Sequence, residues 1–196
     1  TDPKAKIMLG GVCFLDVDYF EQMFKQGVAE SVDVICWHPY QWEVAPEESY
    51  QPSYAKKPVD PFSSYRERVE AIKNLAYKYG FKGNEFHANE TTWVSPYPAP
   101  DFGVPGGAVT EMVKAKYVAR TIALHSDMGI PVYYNETWNC GIVYWDVSTI
   151  RATFSADPVS PVWPQPVYYV LRTMATITDG ARPAKIDLQV NELSLP

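Results

Sequence analysis

Runs of Lys or Arg are missing from this chain, and its 196 residues carry a formal net charge of -6. A surface of that sign repels phosphates, which argues against nucleic acid and anionic membranes as partners. No apolar run approaches the roughly 20 residues that a membrane-spanning helix needs. Cysteine is scarce. Cys13, Cys36 and Cys140 are an odd set without short repeated spacing, which fits neither a disulfide framework nor a zinc site. Cys36 lies in an apolar run and reads as a buried thiol. No clustered His/Asp/Glu spacing of the ligating kind occurs, so no metal and no cofactor is expected. No glycine-rich loop follows any expected strand, which weighs against a nucleotide-binding doubly wound fold. Thr1-Asp2-Pro3-Lys4 reads as a polar turn rather than a signal peptide, although a processed chain would begin in the same way.

Apolar side chains and aromatic rings are plentiful. Hydrophobic residues make up 46% of the chain, enough for one domain with a real core. Many of the 6 Trp and 14 Tyr fall in Pro-rich stretches that read as loops. Rings on loops either stack flat ligands or pack the loops onto the body of the protein.

Short apolar segments alternate with helical ones. Lys6 to Cys13, closed by Gly10-Gly11, reads as a buried strand. Asp16 starts a helix whose stripe is Tyr19, Phe20, Met23 and Phe24, ending near Gly27. Val32 to Trp37 is a β-branched strand running into His38-Pro39-Tyr40. Gln41 to Ser64 is a long loop. A helix from Tyr65 to Tyr79 presents Val69, Ile72, Leu75, Ala76 and Tyr79. Glu85 to Asn89 is a strand with Glu90 at its end. Ser95 to Gly107 is a second long loop. A helix over Val109 to Met128 is expected to turn Met112, Ala115, Ala119, Ile122 and Ala123 inward. Val132 to Asn135 is a strand leading to Glu136-Thr137-Trp138, and Ile142 to Trp145 extends it or pairs nearby. Pro158 to Pro166 is a loop, Val167 to Ile177 a helix, and Ile186 to Val190 an exposed tail strand.

This is the order of a parallel sheet with covering helices, in four β/α units. A closed eight-unit barrel takes about 250 residues, so the fold class is α/β, either a small open sheet or half of a TIM-type barrel. Features with chemical character fall at strand ends, the rim where such barrels hold their active sites. Glu90 is the leading carboxylate, with Asn89 before it and Trp93 beyond it. Its plain alternative is an N-cap or loop carboxylate. His38 and Tyr40 end the preceding strand, and His38 could equally be a structural histidine packed under Pro39. Glu136 and Trp138 end the following strand, where Trp138 could be ordinary packing.

Taken in this order, the segment Asp2 to Trp145 resembles the C-terminal half of the retaining glycoside hydrolases of clan A, the (β/α)8 enzymes that include cellulases, mannanases and xylosidases. Asp2-Pro3-Lys4-Ala5-Lys6-Ile7 with Gly10-Gly11 resembles the approach to their fifth strand. Val32 to Ile35 with His38-Pro39-Tyr40 resembles the sixth, Asn89-Glu90-Thr91-Thr92-Trp93 the seventh, and Val132 to Trp138 the eighth. The resemblance implies that Glu90 is the nucleophile and that Tyr40 orients it. It implies that His38, Trp138, Trp93, Glu136 and Asn89 contact a β-linked polysaccharide or oligosaccharide, with Glu136 the rival nucleophile. It also implies that residues 1–180 are strands five to eight of the barrel, and that 181–196 are a tail strand or the start of a β domain.

Such enzymes work with two carboxyl groups, about 5–5.5 Å apart. The acid/base Glu belongs at the fourth strand, which this chain does not contain. A fragment of this kind is expected to be nearly inert alone and to pair with the missing N-terminal half or with a second copy of itself. The full-length protein is expected to be secreted or held in the cell envelope. Two other readings remain: a non-catalytic carbohydrate-binding or scaffold protein built on the same shell, and an unrelated small α/β domain.

Overall fold

A computed structural model describes residues 2, 4–41, 44–50, 60–93, 109–134, 150–152, 162–164 and 166–184. It is an α/β structure. Strands β1 (Val12–Cys13), β2 (Val34–His38), β3 (Glu85–Thr91) and β4 (Val132–Tyr134) form a four-stranded sheet in the order β1-β2-β3-β4, and every pairing is parallel. Helices α1 (Val17–Lys25), α2 (Tyr65–Lys78) and α3 (Glu111–Met128) follow β1, β2 and β3 in turn. Strands β5 (Ile150–Ala152) and β6 (Val162–Pro164) make a separate antiparallel pair, and α4 (Pro166–Thr178) follows. The expected loop at Pro158 to Pro166 is thus corrected in part, because Val162–Pro164 is a strand. The expected tail strand at Ile186 to Val190 and the segment Ile142 to Trp145 lie outside the described residues.

Local chemistry sets the helix boundaries. The Asp16 carboxylate accepts the Tyr19 N–H at 3.1 Å and caps α1. Ser64 Oγ accepts the Glu67 N–H, and the Glu67 carboxylate reaches back to the N–H and hydroxyl of Ser63, both at 2.8 Å. This reciprocal cap starts α2. Helix α3 begins at Thr110, whose hydroxyl accepts the Val113 N–H. It ends at Gly129, which takes the left-handed conformation (φ 67°) that glycine adopts without strain. Lys6 to Cys13 is less regular than expected. Met8 pairs with Val34, but the ladder resumes only at Val12, after Gly10-Gly11.

Phe20 and Phe24 of α1, Val69, Ile72 and Ala76 of α2, and Ile35, Trp37, Phe86 and Ala88 of the sheet pack into one cluster. A second cluster holds Trp93, Val109, Val118 and Val167, where α3 meets α4. Helix α3 sits differently from the apolar reading. Met112 is 59% exposed, and the buried face is Lys114, Ala115, Val118, Thr121 and His125. Three of those five are polar, so a stripe of apolar residues does not mark the face that turns inward.

One of those polar groups, His125, belongs to a hydrogen-bonded interior. Trp37 Nε1 donates to the Tyr65 hydroxyl at 3.0 Å, and that hydroxyl is 3.0 Å from His125 Nε2. His125 Nδ1 lies 3.2 Å from the Ile130 carbonyl oxygen, which can only accept, so Nδ1 carries the proton and Nε2 accepts from Tyr65. Burial lowers the His125 pKa to about 4, against the opposing pull of the Ile130 carbonyl. Burial likewise holds the Tyr65 hydroxyl well above the usual phenol range, so it stays a donor. Arg68, also buried, joins three segments. It meets Asp60 at 2.6 Å, Ser49 Oγ at 2.5 Å and the Leu15 carbonyl at 2.9 Å. Partial burial alone would raise the Asp60 pKa, but hydrogen bonds from Arg68, Ser49 and the Phe62 N–H outweigh it and hold the carboxyl below the ordinary range.

Two outcomes follow from this interior. His125 takes a proton near pH 6.5 when unfolded but only near 4 when folded. Its contribution to stability is therefore intact above about pH 6.5 and falls away between 6.5 and 4, by on the order of 3 kcal/mol. Urea unfolding from pH 4 to 8 should show this fall, and His125→Phe should flatten it while lowering stability at neutral pH. Arg68→Ala should cost about 3 kcal/mol, because it strands the buried end of Asp60. Asp60→Asn added to Arg68→Met should cost less than the two single changes together, as measured by a double-mutant cycle in urea.

Candidate active site

Parallel pairing puts the carboxyl ends of β2 and β3 side by side. Val34, Ile35, Cys36 and Trp37 lie opposite Glu85, Phe86, His87 and Ala88. His38, at the end of β2, therefore stands level with the region of Asn89 and Glu90. On the other flank of β3, Ala88 pairs with Val132 and Thr91 with Tyr134, so three steps along β3 match two along β4. That extra residue is a bulge at Asn89-Glu90, a device that re-aims side chains at strand ends.

The end of β2 is held from both sides. The His38 carbonyl accepts the Phe14 N–H at 2.8 Å from the β1 side, and also the Tyr40 N–H at 2.9 Å across a tight turn at Pro39. Thr91 Oγ1 donates to the Pro39 carbonyl at 3.1 Å from the β3 side. Phe14 itself has φ 65°, an unusual backbone for a residue with a bulky side chain, and its ring leans on Tyr50. In the neighbouring interior the Cys36 thiol donates to the Leu9 carbonyl at 2.6 Å, and burial pushes its pKa up to about 11, as expected for an inert thiol.

Three of the expected site residues come together on this frame. The Tyr40 hydroxyl donates to Glu90 Oε1. His38 Nε2 lies 3.7 Å from Glu90 Oε2, too far for a hydrogen bond but within ion-pair range when the imidazole is protonated. The His38 and Tyr40 rings meet edge to face. The Glu90 side chain remains 38% exposed, so it can be reached from solvent. Cys13, which pairs with His38 in register, completes the group. Burial first, and then the negative charge of Glu90, raise its pKa and keep it a thiol, partly offset by the Phe14 N–H. A cleft of about 550 Å³ lies between the approach to β1 and α1, lined by Leu9 to Cys13, Asp16, Tyr19 and Met23; Glu90, His38 and Tyr40 are not in its lining.

Asn89 is beside the carboxylate. Its Oδ1 is buried and accepts no hydrogen bond from the described residues, an uncommon state for a polar atom. Trp93 is corrected. It is 1% exposed, donates from Nε1 to the Val44 carbonyl at 3.2 Å and stands edge-on to Tyr117. A ring closed off in this way offers no face to a ligand; it fastens the start of the Gln41 to Ser64 loop to the body. Glu136, Trp138 and the Ser95 to Gly107 loop lie outside the described residues. Two features at this corner were missed by the sequence reading. The sequence places Cys13 at a strand end and Gly10-Gly11 at the approach to a fifth strand, but sets neither against His38. Their placement depends on the β1–β2 register, which the spacing of residues does not reveal.

The arrangement can hold a carboxylate at a sheet rim, aim it through a phenol, and bring a titratable imidazole close to its second oxygen. No protein-family model matches this chain, and no curated protein matches it. Among solved structures it is similar to a family 39 glycoside hydrolase from the gut symbiont Bacteroides cellulosilyticus WH2, at 17% sequence identity and a TM-score of 0.47, over 75% of this chain and 27% of that one.

Proposed function

We propose that this chain is the nucleophile-bearing part of a retaining glycosidase that acts on β-linked saccharides. One observation carries the reading: Tyr40 donates to Glu90 at the carboxyl end of a parallel sheet, with His38 on the other oxygen's side. In this reading the four β/α units are half of a TIM-type barrel. The acid/base carboxyl comes from outside the chain, either from the missing N-terminal half or from a second copy.

The steps are those of a double displacement. The Glu90 carboxylate attacks the anomeric carbon and the glycosidic C–O bond breaks. The leaving oxygen keeps the bonding electrons and takes a proton from the acid/base. Water, deprotonated by that same group, then attacks the anomeric carbon and releases Glu90. Tyr40 keeps the carboxylate aimed, because its hydroxyl donates to one of the two oxygens. His38 contacts a sugar hydroxyl or steadies Glu90, and Asn89 is a further sugar contact in this reading, one that requires its buried amide to turn outward. Glu136 and Trp138 supply further sugar contacts in this reading.

Because the first step needs no acid when the leaving group is already a good one, it can be tested on this chain alone. A dinitrophenyl 2-deoxy-2-fluoro-β-glycoside of the right sugar should add one glycosyl mass, mapped to Glu90 by peptide mass spectrometry. Glu90→Gln should take none. Label on another residue, or none across a panel of sugars, would overturn the assignment, and sugar binding without label would favour a non-catalytic carbohydrate-binding role. Tyr40→Phe should slow labelling by about ten- to a hundredfold, as for loss of a hydrogen bond to a charged group, with the thermal midpoint nearly unchanged. An unaltered labelling rate would remove Tyr40 from the site.

A further inference from the structure

We propose that Gly11 is a positioning residue for His38, and that its missing side chain is what lets the imidazole stand beside Glu90. The proposal deepens the site reading above and rests on it for its importance, but not for its test. A Cβ built at Gly11 would fall within the imidazole, 2.5 Å from Cδ2, 2.7 Å from Cε1 and nearer still to Nε2. The ring thus lies directly on the backbone of the approach to β1, closer than any side chain there would allow. At Gly10, by contrast, an added Cβ would meet nothing within 4 Å among the described residues. The two neighbouring glycines therefore do different work, and only the second touches the site.

The rest of the corner leaves the imidazole little choice. Its backbone is pinned by the Phe14 N–H, and the Tyr40 ring stands edge-on to it on another side. Its Nε2 reaches to 3.7 Å from Glu90 Oε2 only while the ring rests on Gly11. A methyl group at position 11 displaces the ring, which is the end of a rotatable side chain, because the backbone on either side is held by the pairings of Met8 and Val12. Gly11 does not touch a substrate; it acts through His38.

The test is spectroscopic. The chain has three histidines, so the imidazole ¹⁵N signals of His38 are readily separated from those of His87 and His125. Gly11→Ala should move the His38 signals and leave the other two in place, while Gly10→Ala should move none. Glu90→Gln should shift the His38 signals in the parent chain, and shift them much less once Gly11→Ala is present. Unchanged His38 signals in Gly11→Ala would overturn the proposal. Should Gly11→Ala fail to fold, it is combined with His38→Ala. Recovery of folding without the imidazole supports the proposal, and failure in both backgrounds overturns it. Neither measurement uses sugar. A Glu90 that takes no glycosyl label therefore leaves the Gly11 result standing, and a negative Gly11 result leaves the labelling standing.

Discussion

The register between β2 and β3 is the constraint on which the site depends. Side chains alternate along a strand, so a slip of β3 by one residue against β2 would turn Phe86 and Ala88 away from Ile35 and Trp37 and out of the core. Burial of those four side chains locks the pairing, and the locked pairing sets His38 and Tyr40 opposite the end of β3. The bulge at Asn89-Glu90 then adjusts where the carboxylate points. Chemistry at the rim thus stands on hydrophobic packing one layer below it, and the hydrogen bonds at His38, Pro39 and Tyr40 fasten it there.

The interior departs from a purely apolar core. The hydrogen bonds from Trp37 to Tyr65 and from Tyr65 to His125 cross from the sheet through α2 to α3. Each member satisfies the next, which is what makes buried polar groups tolerable. Arg68 does the same for the β1–α1 junction and the loop before α2. Such networks allow few alternative packings, because any shift leaves a polar atom without a partner. They also explain how a long loop such as Gln41 to Ser64 can be held at its ends, by Arg68 and by the paired carboxylate and guanidinium of Glu47 and Arg120.

Much of the frame was legible in the residues. The parallel α/β order, the start of α1 at Asp16 and the inward face of α2 follow from caps and apolar spacing, because there the buried positions are mostly apolar. The face of α3 did not follow, since three of its five buried residues, Lys114, Thr121 and His125, are polar, and His125 is buried with hydrogen-bond partners in Tyr65 and Ile130. The strand at Val162–Pro164 was hidden between prolines. At the site, Glu90, His38 and Tyr40 could be nominated because each sits at a strand end. The bulge, the proximity of Cys13 and the seat on Gly11 could not, since all three depend on register across strands. Trp93 shows the opposite error: a large ring just past a strand end, suited to stacking, is spent on anchoring.

The described residues gather into two hydrophobic clusters, one between α1, α2 and the sheet, the other between α3 and α4. Strand β3 is the hinge of that division, giving Phe86 and Ala88 to the first and leading into Trp93 in the second. Cohesion of this kind is regional: among the described residues α4 packs mainly on α3, whereas α3 is also tied to α2 through Tyr65 and His125, so α4 can open while the rest stays shut. Amide protons of α4 would then exchange sooner than those of β2, and heat would dismantle the molecule from its C-terminal side inward.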